Sequence, residues 1–91
     1  MILCTMYLHF DLEGVTSLKG RRSVINGVKE QLKRLNLSLL DISGAYPREA
    51  ELALAFLSPD RASAAQYRER IEALLERHFP QWPCDIEYEE L

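Results

Sequence analysis

Cations concentrate in one segment of the chain. Residues 17–35 contain six Lys or Arg and one Glu, a local net charge of +5, in a chain whose net charge is −3. Positive charges spread over several turns of a helix can follow a phosphate backbone. Because the whole chain is acidic, a nucleic-acid site must be local. We therefore predict RNA contacts from five of these cations: Lys19, Arg21, Arg22, Lys29 and Lys33. The alternative is a solvated helix face that acidic residues on neighbouring elements balance.

Residues that could bind a metal or attack a substrate are scattered. The chain has two cysteines, Cys4 and Cys84, and two histidines, His9 and His78, none of them in the short paired spacings of a zinc site. No nucleophile motif accompanies either imidazole. The sequence therefore predicts a noncatalytic protein with no metal and no cofactor.

Length and composition predict one domain over residues 1–91. Apolar residues make up 47% and charged residues 27% of the chain, which is typical of a globular protein. No apolar run reaches the roughly 18 residues that span a membrane, and no secretory signal is evident. We expect a cytoplasmic protein with no membrane partner and with both thiols reduced.

Hydropathy periodicity predicts six elements in the order β-α-β-β-α-β. The first strand alternates apolar and polar residues over Ile2–Leu12, and a helix follows with Ser17 or Thr16 as N-cap and Asn36 as C-cap. Two short strands come next, and Ser58-Pro59-Asp60 predicts a second helix with a hydroxyl N-cap. The predicted middle strands cover Leu37–Ser43 and Glu51–Leu57, and the last strand starts at Cys84.

This order is the split βαβ arrangement of the ferredoxin-like α+β fold, a four-stranded antiparallel sheet with two helices on one face. In that arrangement Cys4 and Cys84 lie at opposite ends of neighbouring strands, too far apart for a disulfide. The other sheet face stays open, and exposed apolar surface often marks a partner. We expect homo-oligomerisation there. The predicted open face comprises Tyr7, His9, Leu39, Asp41, Ala53, Ala55, Glu87 and Glu89, with an oligomer interface of Tyr7, His9, Leu39, Ala53 and Ala55.

The start of the first helix, Thr16–Ile25, reads T-S-L-K-G-R-R-S-V-I. It resembles the S-L-K-x-K/R-R motif and following apolar pair of the YlxP-like family, small bacterial domains of unknown function. The similarity extends through Asp41-Ile42 and Ala50–Ala53 to the acidic ending Ile86–Leu91. The resemblance implies a ferredoxin-like fold and, through the family's frequent gene neighbours, a link to translation. The loop over residues 43–49 is shorter than in that family and lacks its Trp.

These observations predict an accessory factor that touches structured RNA or the ribosome through its first helix. The alternative is a homo-oligomeric protein-interaction module that uses the open sheet face and has no nucleic-acid role.

Overall fold

The computed structural model describes residues 1–91, which form one four-stranded antiparallel sheet and two helices. The strands lie in the order β2-β3-β1-β4, so the split β-α-β-β-α-β prediction of an α+β fold is confirmed. The elements are β1 (Ile2–Asp11), α1 (Leu18–Leu32), β2 (Ser38–Asp41), β3 (Glu49–Ser58), α2 (Arg61–His78) and β4 (Cys84–Glu90). Neither helix is long and apolar enough to cross a membrane.

The core lies between the helices and one face of the sheet. Alternation in β1 buries Cys4, Met6, Leu8 and Phe10, as the sequence predicts. These residues pair across to buried residues of β3, from Phe56 opposite Cys4 to Ala50 opposite Phe10. Each helix adds a stripe to the same core: Ile25, Val28 and Leu32 from α1, and Ala64, Ile71 and Leu75 from α2. Both helices therefore cover one face and leave the other open.

The ends of α1 agree only in part with the sequence. Ser17 caps the N-terminus, and its Oγ accepts a hydrogen bond from the Gly20 N–H at 3.0 Å. The prediction of Asn36 as C-cap is wrong, because α1 ends at Leu32 and Lys33 is the C-cap. After α1 the chain makes a tight turn, in which the Leu35 N–H donates to the Leu32 carbonyl. Leu35 is buried even though it lies outside the helix.

The N-cap of α2 is Asp60 rather than the predicted Ser58. Asp60 Oδ1 accepts from the Ser63 N–H at 2.7 Å, and this hydrogen bond lowers the pKa of the Asp60 carboxyl. Ser58 ends β3 as a buried hydroxyl that donates to the Asp60 carbonyl at 2.9 Å. Asp and Ser cap helices about equally well, so the turn geometry decides between them.

The register of β2 against β3 corrects the predicted open face. Leu39 pairs with Leu54, a core residue, so Leu39 points toward the helices, and Asp41, opposite Leu52, lies on the same side. Leu40 takes the place predicted for Leu39 and is 64% exposed. A shift of one residue in a strand moves every side chain to the opposite face. Because Leu39 and Leu40 are both apolar, the sequence of this strand does not show which of them faces the helices.

The two thiols lie where the sequence predicts. Phe10 pairs with Cys84 and Cys4 pairs with Glu90, so the cysteines are at opposite ends of the β1–β4 pair, and both are free.

Candidate functional surfaces

One face of α1 carries four cations, Lys19, Arg22, Lys29 and Lys33, which we call the basic flank. At about 100° per residue they fall within a sector of about 80°. Lys19, Arg22 and Lys33 are exposed, and Lys29 is half-buried. Lys29 and Lys33 border a shallow groove with Leu37 and Leu39, so the flank runs along the β2 edge of the molecule.

Acidic neighbours compensate part of the basic flank. Lys33 Nζ lies 2.6 Å from Glu30 Oε1. Burial alone would raise the pKa of Asp41, but hydrogen bonds from Ser43, helped by the charge of Lys29, outweigh burial and hold that pKa below its usual value. Lys19 and Arg22 form no ion pair. The uncompensated positive charge is therefore at the N-terminal end of α1.

Arg21 belongs to a different surface from the other cations. It lies about 120° around the helix from the middle of the flank's sector, near Lys33, and its side chain is turned toward the sheet. Its Nη1 donates to the carbonyls of Tyr46, at 2.9 Å, and Glu49, at 3.2 Å. Arg21 thus ties the first turn of α1 to the loop between β2 and β3. We remove it from the candidate phosphate contacts, because its guanidinium is already hydrogen-bonded within the chain.

The open sheet face is organised in rows that run across the strands. Tyr7, His9, Ala53 and Ala55 lie on it, as predicted. The rows, written from β2 or β3 toward β4, are Leu57–Leu3–Leu91, Ser38–Ala55–Thr5–Glu89, Leu40–Ala53–Tyr7–Glu87 and Ile42–Glu51–His9–Asp85. The first three rows are apolar or small except at Glu89 and Glu87 of β4, which end the second and third rows.

Six large apolar side chains of this face contact solvent. The exposed fractions are 66% for Leu91, 64% for Leu40, 63% for Leu57, 44% for Tyr7 and 40% for both Leu3 and Ile42. Leu3, Leu40 and Leu57 are not among the interface residues predicted from the sequence. For Leu3 and Leu57 the signal was the strand alternation itself, which puts both in phase with Tyr7 and Ala53.

The far end of the open face is polar. The two ring nitrogens of His9 lie 3.5 Å from Glu51 Oε1 and 3.8 Å from Glu49 Oε1. Arg48 donates to both carboxylate oxygens of Asp11, at 2.8 and 3.2 Å, and this bidentate pair lowers the pKa of the Asp11 carboxyl. The apolar part of the face is therefore bounded by charge at one end and along β4.

A separate groove of about 440 Å³ lies between the end of α2 and the start of β4, lined in part by Phe79, Trp82 and Cys84. Burial, helped by the neighbouring charge of Asp85, raises the pKa of the Cys84 thiol to about 11. That thiol is protonated near neutral pH and is a poor nucleophile.

The split arrangement of these elements defines a ferredoxin-like α+β domain. The pattern of a family described as "Protein of unknown function (DUF503)" matches residues 3–87, and the chain belongs to that family. No curated protein matches significantly.

Solved structures share the fold at low sequence identity. The de novo designed protein Foldit4 is 13% identical with a TM-score of 0.56, over 97% of this chain and 94% of the design. An amidase of the hydantoinase/carbamoylase family from Burkholderia phymatum is 16% identical with a TM-score of 0.54. It covers 100% of this chain, which spans only 28% of the amidase. At such identities the likeness shows the fold alone.

Proposed function

We propose that this protein is a noncatalytic accessory factor of the cytoplasm that binds structured RNA, free or in the ribosome, through the basic flank. The observation that carries the proposal is the pair Lys19 and Arg22, exposed and without ion-pair partners on one face of α1. The YlxP-like resemblance of Thr16–Ile25, with its link to translation, favours the same class of ligand.

The charge distribution supports one orientation on a polyanion. The basic flank borders the β2 edge of the sheet. The opposite edge is β4, which carries Asp85, Glu87, Glu89 and Glu90. A phosphate backbone is attracted to the first edge and repelled by the second, so the molecule approaches RNA with α1 leading.

Binding through this flank is mostly electrostatic. Lys and Arg side chains contact phosphate oxygens without reading bases, so affinity depends little on sequence. With two free cations and two partly compensated ones, the slope of log K against log salt should lie between about −1.5 and −4.

The test is co-sedimentation with bacterial ribosomes and their separated subunits, together with fluorescence anisotropy on a structured RNA, at low and moderate salt. The test variant reverses both free cations, Lys19→Glu with Arg22→Glu. The matched control makes the same change of charge on α2, Arg70→Glu with Arg77→Glu, at two exposed positions outside the flank.

We expect salt-sensitive binding that the flank variant weakens at least tenfold and the α2 control weakens much less. Equal losses in the two variants would mean that net charge alone matters, and the flank would lose its assignment. Absence of binding at low salt would refute the proposal.

A further inference from the structure

We propose that the open sheet face binds a second copy of this chain, with the two-fold axis parallel to the strands and between β3 and β1. The sheet order β2-β3-β1-β4 has its centre there. Rotation about this axis places β1 over the partner's β3 and β2 over the partner's β4. Each row of residues then lies over the same row of the partner.

The apolar content of the face requires a covering surface. Leu3, Leu40, Leu57 and Tyr7 are all at least 40% exposed on one side of a single sheet. They surround the small residues Ala53 and Ala55. Contiguous exposed apolar patches of this kind mark interaction sites in soluble proteins.

Shape favours a second copy over other occupants. With the proposed axis, the large Tyr7 side chain lies over the partner's Ala53, and Leu3 lies over the partner's Leu57. Large side chains thus meet small ones, or one another, near the axis. Because two packed sheets are rotated by about 30° relative to each other, we expect these residue pairs to lie closest together on the two central strands.

Charge selects the direction of the axis. An axis perpendicular to the strands would lay β4 on the partner's β4 and bring the two sets of acidic residues together. The parallel axis instead puts Glu87 over the partner's Leu40 and Glu89 over the partner's Ser38. It also lays His9 over the partner's Glu51, a pairing of opposite charge when the imidazole is protonated. The same acidic residues on β4 make the face repellent to RNA.

The area suffices for a reversible dimer. The strands are ten, four, ten and seven residues long, and at about 3.3 Å per residue and about 4.8 Å between strands they give a plan area of about 500 Å² per copy. Two copies would cover about 1,000 Å², which is the size of a weak or transient interface. We therefore expect a dimer that dissociates on dilution.

The test is sedimentation velocity from about 5 to about 500 μM, a range suited to interfaces of this size. The disrupting variant is Ala55→Arg, at the centre of the face. Its control is Ala73→Arg, an exposed position on α2. Circular dichroism and thermal melting establish that each variant is folded. We expect the parent and the control to dimerise with rising concentration and the Ala55→Arg variant to stay monomeric.

Two further variants test the axis and do not depend on Ala55→Arg being folded. Leu40→Lys puts a cation over the partner's Glu87, whereas Leu40→Glu puts a second anion there. We expect Leu40→Glu to weaken the dimer at least tenfold more than Leu40→Lys does. A parent that is monomeric at about 500 μM, or a dimer that Ala55→Arg leaves intact, would overturn the interface. Equal effects of the two Leu40 variants would overturn the parallel axis.

Discussion

Arg21 is a cation whose structural role can be separated from that of its neighbour Arg22. Its guanidinium donates to two carbonyls of the β2–β3 connection. Hydrogen bonds from charged groups contribute about 1.5–3 kcal/mol when buried, and less where water reaches them. We expect Arg21→Ala to lower the free energy of unfolding by about 1–2 kcal/mol. Urea denaturation measures this change, and hydrogen exchange should show faster opening of residues 43–49.

The neighbouring residue is the control for that measurement. Arg22 is exposed and makes no hydrogen bond or ion pair within the chain. Arg22→Ala should change the unfolding free energy by less than about 0.5 kcal/mol while weakening RNA binding. If the two variants were equally stable, Arg21 would not hold the loop.

The role of Arg21 was partly readable from the sequence. Helical spacing puts it on the side of Ile25 and Val28, away from Lys19. A cation at the end of an apolar stripe is well placed to reach a neighbouring element. Its acceptors were not predictable, because Tyr46 and Glu49 come within reach only when β3 pairs with β1.

Among the secondary-structure elements, the strands with one buried face are the ones whose side-chain orientation the sequence predicts correctly. β1 and β3 alternate strictly because one face of each is buried in the core, so the faces to which their side chains point could be predicted. β2 is a short edge strand in an apolar run, and its register is set by pairing with β3, which the sequence does not encode locally. The N-cap of α2 was misassigned for a similar reason, since Ser58 and Asp60 are both good caps.

The register of β2 predicts opposite responses from adjacent leucines. Leu39 packs against the core, so Leu39→Asp should lower the unfolding free energy by about 2 kcal/mol or more, through lost burial and a desolvated carboxylate. Leu40→Asp should change the free energy of unfolding by less than about 0.5 kcal/mol at concentrations where the chain is monomeric. Urea denaturation of both variants at low concentration shows which leucine faces the core. If Leu40→Asp were the more destabilising variant, Leu39 would lie on the open face, as predicted from the sequence.

The Asp60 N-cap of α2 predicts how the free energy of unfolding depends on pH. The hydrogen bond from Ser63 lowers the pKa of Asp60 from its usual 3.8. A carboxyl whose pKa is lower in the folded state contributes stability above its unfolded pKa, and that contribution is lost as the pH falls through the folded value. Asp11 and Asp41 share this direction. Stability should therefore fall as the pH drops below about 4.

Asp60→Asn isolates the contribution of the cap, because Asn also caps helices but does not titrate. The variant should be about as stable as the parent at pH 7 and lose less stability between pH 5 and pH 2. Denaturation across that range is the measurement. Parallel curves for the two proteins would show that the cap contributes nothing to acid sensitivity.

For the whole molecule, the two proposed surfaces lie on different sides of the sheet. The basic flank is on α1, which packs on the covered face, whereas the dimer would use the open face. In the proposed dimer the two flanks lie at diagonally opposite corners. With sheets and helices stacked about 10 Å apart, the two flanks are about 30 Å or more from each other. They face opposite directions, so one straight RNA duplex cannot contact both.

This geometry predicts that dimerisation changes the stoichiometry of RNA binding but not its strength. Ala55→Gln adds bulk to the open face without charge, so it should prevent dimerisation while preserving the charge of the flank. The affinity per chain and the salt slope should stay within about twofold of the parent, because the same cations contact the phosphates. At concentrations where the parent dimerises, the parent should join two RNA molecules in one complex, whereas the variant should bind one. Anisotropy titrations give the affinity, and sedimentation of labelled RNA gives the stoichiometry. A variant whose salt slope fell to half that of the parent would show that both flanks contact one RNA, and the two-fold arrangement would then need a different axis.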